Sequence, residues 1–222
     1  MKYRVIVADP PWAFGDLLAH SPTSVKRGAA AQYATLTTAE LAALQVGTLA
    51  QDDALIALWC PATLIPDGLH VLAGWGFDFK QVWIWAKTRK PKGLGDWLGQ
   101  MADKVADTPG TARFPDLWMP DGMAFGMGRL ARSCKELLLV GTRGSIYQHL
   151  RTKSERDLVF APATKHSVKP EALQDKLERM LPGPYLELFA RRDRPGWDCC
   201  GLECPSTAGE EVRASIVRLN NQ

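Results

Sequence analysis

Apolar residues fill Tyr3 to Ala8 almost without a break, and the run stops at Asp9 and two prolines. Such a run predicts a strand buried on both faces. Proline has no backbone N–H to give, so the ladder ends there. Thr37 with Glu40 three residues later carries the capping-box signature, and Leu41, Leu44 and Leu49 give the helix after it a partly apolar face. A second buried strand is predicted over Ala54 to Cys60. A helix from about Leu64 to Ala73 follows, and then a strand over Phe77 to Ala86, where Val82, Trp83, Ile84 and Trp85 favour the extended form.

The rhythm breaks between residues 87 and about 125, a stretch basic at first and then rich in Gly, Pro, Asp and Met. It reads as a long loop or lid, since long segments without a period inside a domain are usually functional or disordered. Glu136 to Gly141 restores a strand, and Thr142 to Lys165 is irregular again. Pro170 stands where a first helical residue would, Leu173, Leu177, Met180 and Leu181 share one helical face, and Pro182-Gly183 ends it. Tyr185 to Phe189 is the last clear strand. Alternation of this kind predicts an α/β fold with a mostly parallel sheet, helices on both faces, and ligands bound outside the carboxyl ends of the strands.

Composition narrows the class. With 222 residues, 46% apolar and 23% charged, the chain fits one domain, 1–222, with a single core. No apolar run approaches the roughly eighteen residues of a membrane span, and the start Met1-Lys2-Tyr3-Arg4 is wrongly built for a signal peptide. A cytoplasmic address in a bacterial or phage-infected cell is expected. The five cysteines include a crowd at Cys199, Cys200 and Cys204 without the paired spacing of a structural zinc site, so reduced structural thiols and no metal are expected. The net charge of +3 is small, but Lys87, Arg89, Lys90 and Lys92 fall within six residues, and Arg191, Arg192 and Arg194 within four. Clustered cations of this kind suit phosphate contacts.

Asp9-Pro10-Pro11-Trp12 stands immediately after the first strand, where the binding crevice of an open α/β sheet lies. The tetrapeptide offers two hydrogen-bond acceptors side by side, the Asp9 carboxylate and the Pro10 carbonyl, the latter held outward by fixed proline φ angles. Two acceptors can grip the two N–H bonds of an exocyclic amino group and draw its lone pair out of the ring. Trp12 supplies a flat face on which an extruded base can stack. Gly126-Met127-Gly128 lacks a third glycine and a preceding strand, and reads as a turn. Trp97 and Trp118 are further candidates for base contact.

In order, the chain also carries Tyr33-Ala34-Thr35-Leu36, Leu58-Trp59, Trp75-Gly76-Phe77, Trp85-Ala86-Lys87-Thr88, Glu136-Leu137-Leu138-Leu139-Val140-Gly141-Thr142-Arg143-Gly144, His166-Ser167-Val168-Lys169-Pro170, Glu187-Leu188-Phe189-Ala190-Arg191 and Gly196-Trp197. Together with Asp9-Pro10-Pro11-Trp12 these residues resemble the N6-adenine methyltransferases of the MT-A70 type, from Tyr3 to about Glu203. The resemblance implies a Rossmann-like class I sheet whose catalytic motif precedes its cofactor motif, and S-adenosylmethionine as cofactor. It implies that Glu187 lies near the cofactor ribose, that Lys169 faces the cofactor carboxylate, that Arg191 lies beside the cofactor or the substrate backbone, and that Asp9 and Glu203 are further cofactor contacts. His166 reads as a positioning or anion contact at the cofactor, since the reaction hardly needs a general base. The family often has a polar residue where this chain has Leu202.

The expected reaction is methyl transfer to N6 of adenine, on DNA by preference because the chain is compact. RNA adenosine is the nearest alternative. A catalytically silent nucleic-acid-binding subunit is a third reading, disfavoured because Asp9, Pro10, Pro11, Trp12, Lys169 and Glu187 are all present. The segments 13–32, 87–125 and 142–165 are the expected grip on a duplex, with a homodimer or a partner subunit to complete it.

Overall fold

In the computed structural model, residues 2–13, 35–88, 123–124, 126, 130–163 and 168–222 are described. The elements in chain order are β1 (Tyr3–Ala8), α1 (Thr38–Ala42), β2 (Ala50–Cys60), α2 (Ile65–Gly74), β3 (Asp78–Thr88), β4 (Lys135–Arg143), β5 (Leu158–Pro162), α3 (Ala172–Met180), β6 (Tyr185–Leu188), β7 (Trp197–Cys200) and α4 (Val212–Asn220). The strands hydrogen-bond in the order β5-β3-β4-β2-β1-β6-β7. β1 pairs in parallel with β2 and β6, β6 with β7, and β3 with β5, whereas β4 runs antiparallel to β2. The fold is α/β with a mostly parallel, mixed sheet of the Rossmann-like kind, as the sequence led us to expect.

The chain divides into two compact units. The first comprises Met1–Trp83, Leu137–Glu155 and Lys176–Gln222. Its centre is β1, whose residues Tyr3, Val5, Ile6, Val7 and Ala8 are fully buried, as befits a central parallel strand with both of its faces covered. Tyr3, Ile6 and Ala8 share a core with Leu41 of α1, Val71 and Leu72 of α2, and Ile216 and Leu219 of α4. Burying aliphatic side chains of this size contributes on the order of 1.5–3 kcal/mol each. α1 starts as predicted: Thr37 accepts from the Glu40 backbone N–H while the Glu40 carboxylate accepts from the Thr37 N–H at 2.8 Å. Gly68 of α2 is required by packing, since a Cβ there would stand 2.5 Å from Leu139 Cδ1 and 2.7 Å from Cys60 Sγ.

The second unit comprises Ile84–Glu136 and Arg156–Asp175. Within it the end of β3 pairs with β5 from Ile84↔Leu158 to Thr88↔Pro162, and Trp85 Nε1 donates to the Ala161 carbonyl at 2.9 Å. β5 falls inside a stretch expected to be irregular, because its alternation is weak and its exposed positions are Leu158, Phe160 and Pro162 rather than polar residues. β3 also runs further than expected, through Lys87 and Thr88. The expected lid lies outside the described residues from 89 to 122. Two elements beyond the last expected strand, β7 and α4, are present; β7 is too short to show a period. No helix among the described residues is long and apolar enough to cross a membrane.

Candidate active site

In the first unit the connection from β1 leads to β2 on one side, and β6 on the other side leads on to β7. Such a point of divergence is where parallel α/β sheets open a crevice beyond their carboxyl ends. Asp9 follows β1 directly, and Glu187 lies on the adjoining β6. The Asp9 backbone N–H donates to the Leu188 carbonyl at 3.3 Å, and the register pairs Val7 with Glu187 and Ala8 with Leu188. Glu187 is 8% exposed, and a carboxylate that is buried to this extent needs partners of opposite polarity.

Among the described residues after β1, Asp9 to Ala13 are tied down by backbone hydrogen bonds. The Trp12 N–H donates to the Pro10 carbonyl at 2.9 Å, a three-residue turn about Pro11. The Leu36 N–H donates to the Pro11 carbonyl at 2.9 Å, and the Ala13 N–H returns to the Leu36 carbonyl at 3.0 Å. A carbonyl oxygen has two lone pairs, so the Pro10 carbonyl keeps capacity for a second donor. Trp12 departs from its expected part. The residue is 4% exposed and belongs to the core, and its indole N–H donates to the Trp59 carbonyl at 2.9 Å. The indole therefore anchors this segment to the end of β2.

The turn after β6 is tightly folded. Phe189 adopts φ 61°, a left-handed conformation that is unusual for a bulky residue. The Ala190 N–H donates to the Cys200 carbonyl at 2.9 Å. Gly201 packs so closely on Ala190 that a Cβ would meet the Ala190 carbonyl oxygen at 2.3 Å. This closure brings together two expected cofactor contacts, with Arg191 Nη1 3.8 Å from Glu203 Oε2. Glu178 of α3 fastens the outer part of the turn, accepting from Arg194 Nε at 2.9 Å and from Trp197 Nε1 at 2.6 Å. The Arg194 hydrogen bond is the leading reason that the Glu178 carboxyl is held below its ordinary range. Trp197 also stacks on Tyr185, ring centres 4.8 Å apart.

In the second unit Lys87 and Lys169 converge on one carboxylate. Lys87 Nζ bonds Glu136 Oε1, and Lys169 Nζ stands 3.2 Å from Glu136 Oε2. Burial alone would push the Glu136 carboxyl up, but the Lys169 and Lys87 ammonium groups outweigh it and hold the carboxyl low. Lys87 Nζ also lies 4.9 Å from the Trp85 ring centre. Lys87, expected at the head of a loop facing phosphates, is thus a strand residue with an ion-pair partner. Glu136 was read from the sequence only as the start of a strand; its nearest signal is the spacing of two lysines that need a counter-charge, which no local pattern reveals. His166, Arg89, Lys90, Lys92, Trp97 and Trp118 lie outside the described residues.

The five cysteines are free thiols. Burial pushes the Cys60 and Cys199 thiols up to about 12, which leaves them neutral and unreactive at ordinary pH. No group of three metal-ligating side chains occurs among the described residues.

Parallel strands that diverge in this way belong to a Rossmann-like sheet, whose ligands bind outside the carboxyl ends of the strands. The chain belongs to the MT-A70 family of S-adenosylmethionine-dependent methyltransferases, whose profile matches residues 3–103 and 122–203. It is similar to the type II methyltransferase M.MunI of a Mycoplasma species, 28% identical over 92% of this chain and 78% of that protein. It is similar also to the N(6)-adenosine-methyltransferase catalytic subunit METTL3 of Homo sapiens, 28% identical over 90% of this chain but 28% of that protein. An MT-A70-like N(6)-adenosine-methyltransferase of Drosophila melanogaster is 29% identical over 90% of this chain and 26% of its own length. The chain thus spans most of the first relative and about a quarter of the other two.

Proposed function

We propose that the chain transfers a methyl group from S-adenosylmethionine to the N6 amino group of adenine, with DNA as the preferred substrate. The observation that carries this reading is the pair of acceptors at the end of β1, Asp9 and the Pro10 carbonyl, fixed beside the buried Glu187 by the Asp9–Leu188 hydrogen bond. Asp9 accepts one amino N–H and the Pro10 carbonyl the other. With both N–H bonds engaged, the nitrogen lone pair is drawn out of conjugation with the ring and aimed in one direction. Orientation of this kind accounts for most of what such a displacement requires of a protein. No strong base is needed, because the amine loses its proton only after it has become cationic.

The residues present fit the cofactor by the chemistry of the donor set. Glu187 and Glu203 are acceptors for hydroxyl and amino donors, Arg191 is a cation for a carboxylate, and Asp9 borders the same strand end as Glu187; Lys169 is assigned to the cofactor carboxylate on sequence grounds alone. When bound, the cofactor supplies an electrophilic methyl group on a sulfonium. His166 joins this set as an anion contact, and Arg89, Lys90 and Lys92 as phosphate contacts, on sequence grounds.

DNA is preferred because the relative matched over most of its own length is a type II methyltransferase. The N(6)-adenosine-methyltransferase relatives favour adenine as the base and keep RNA as the second reading. A cytoplasmic enzyme of a bacterial or phage-infected cell, acting alone, as a homodimer or with a partner subunit, goes with this proposal. Incubation with methyl-labelled S-adenosylmethionine and separate DNA and RNA pools, followed by digestion, tests it. Label in N6-methyldeoxyadenosine is the expected result; label in an RNA nucleoside alone would reverse the substrate assignment, and no label in either pool would overturn the reaction.

A further inference from the structure

Trp12, in the segment after β1, is 4% exposed, and its one polar side-chain atom has a partner: Trp12 Nε1 donates to the Trp59 carbonyl at 2.9 Å. That partner is backbone, at the carboxyl end of β2, and β2 is locked to β1 in register through Ala8↔Leu58. The backbone N–H of the same residue donates to the Pro10 carbonyl at 2.9 Å. One residue therefore connects a fixed point on the sheet to the oxygen that the proposed reaction uses as an acceptor. On its other side Trp12 forms a parallel bridge with Leu36, whose N–H and carbonyl hold Pro11 and Ala13 at 2.9 and 3.0 Å.

We infer that Trp12 is a positioning residue: its indole N–H, pinned on the Trp59 carbonyl, sets the direction of the Pro10 carbonyl, and its ring takes no part in stacking the target base. The inference rests on the proposed adenine chemistry and refines it. A buried indole hydrogen bond resists sliding of the loop because the N–H cannot be released without leaving a buried donor unsatisfied. The direction of the Pro10 carbonyl matters because a displacement of about 1 Å at an aligned reacting group can cost on the order of a hundredfold in rate. A stacking surface would behave differently. It would have to be open to the base, and its loss would weaken nucleic-acid binding by roughly five- to a hundredfold, the range measured for base–aromatic stacking.

The test is Trp12→Phe in the full chain, with turnover on a DNA substrate, KM for that substrate, and dissociation of S-adenosylmethionine all measured well below the unfolding midpoint. We expect kcat to fall by roughly ten- to a hundredfold, with substrate KM and cofactor affinity each within about a factor of two of the parent chain. If the Phe variant does not accumulate folded, 3-benzothienylalanine placed at position 12 keeps the ring volume and deletes only the donor, and the same kcat loss is expected. Unchanged kcat in whichever variant folds overturns the inference, as does a rise in substrate KM with kcat preserved, the signature of stacking. A cofactor affinity that falls in step with kcat also overturns it, since that marks general disorder of the site. A parent chain that transfers no methyl group to adenine overturns the proposed function itself, and the inference with it; the parent's own activity thus separates the two failures.

Discussion

The Asp9 backbone N–H donates to the Leu188 carbonyl at 3.3 Å, so the loop that carries one carboxylate hangs from the strand that carries the other, Glu187. The two acidic groups cannot drift apart without breaking the β1–β6 ladder, which pairs Val7 with Glu187 and Ala8 with Leu188. Preorganisation at this place is backbone work, and side-chain substitutions there should affect chemistry and binding before they affect folding.

Asp9→Ala should lower kcat by roughly a hundredfold or more, the loss typical of removing one preorganised hydrogen-bonding group from a reacting centre. The fold should persist, because the Asp9 backbone bond to Leu188 does not involve the side chain. Methyl transfer and thermal unfolding measured on the same sample check both halves; near-parental turnover would refute the assignment of Asp9.

Glu187→Gln keeps the shape of a buried side chain and removes its charge. Titration calorimetry should show S-adenosylmethionine binding weakened by about tenfold or more, since a hydrogen bond to a charged group contributes roughly 1.5–3 kcal/mol. An affinity equal to that of the parent would remove Glu187 from the cofactor site.

Replacing Arg89, Lys90 and Lys92 with Gln should reduce the steepness of salt dependence of duplex DNA binding by roughly 3 in the log–log slope, about 0.9 for each lost phosphate contact. Lys87→Gln alone should leave the slope nearly unchanged, because Lys87 is already engaged by Glu136. A slope that moves with Lys87 and not with the other three would invert this assignment.

The Glu136 carboxyl is lowered from its ordinary value of 4.5; burial opposes the shift, and Lys169 and Lys87 prevail. A carboxyl with a depressed folded-state pKa contributes stability at pH above its unfolded value and loses that contribution as pH falls through the folded value. Stability of the parent chain should therefore drop below pH 4.5 by more than that of Glu136→Gln. Unfolding curves taken from about pH 6 down to about pH 3 make the comparison, and parallel curves for the two proteins would show that the pair of lysines does not stabilise the ionised form.

Much of this was legible in the chain itself. The buried run Tyr3–Ala8, its stop at Asp9 and the capping box at Thr37 each rest on local chemistry, and each is present where the pattern put it. β5 was missed because its exposed positions carry Leu158 and Phe160, which erases the apolar-polar contrast on which a period depends. The anchoring of Trp12 was missed for a different reason. Its partner is the main-chain oxygen of Trp59, and an acceptor that every residue possesses leaves no mark in a sequence. The Lys87–Glu136–Lys169 cluster was hidden in the same way, by a long separation along the chain between one acid and its two bases.

Gly201 sets a limit on how the chain can diversify. A side chain of any size at that position would collide with the Ala190 backbone and pry apart the two turns that bring Arg191 to Glu203. Variation in what this turn recognises is therefore channelled into its neighbours: Leu202, 53% exposed, is open to exchange, and the glycine beside it is the hinge pin that such exchange must leave in place.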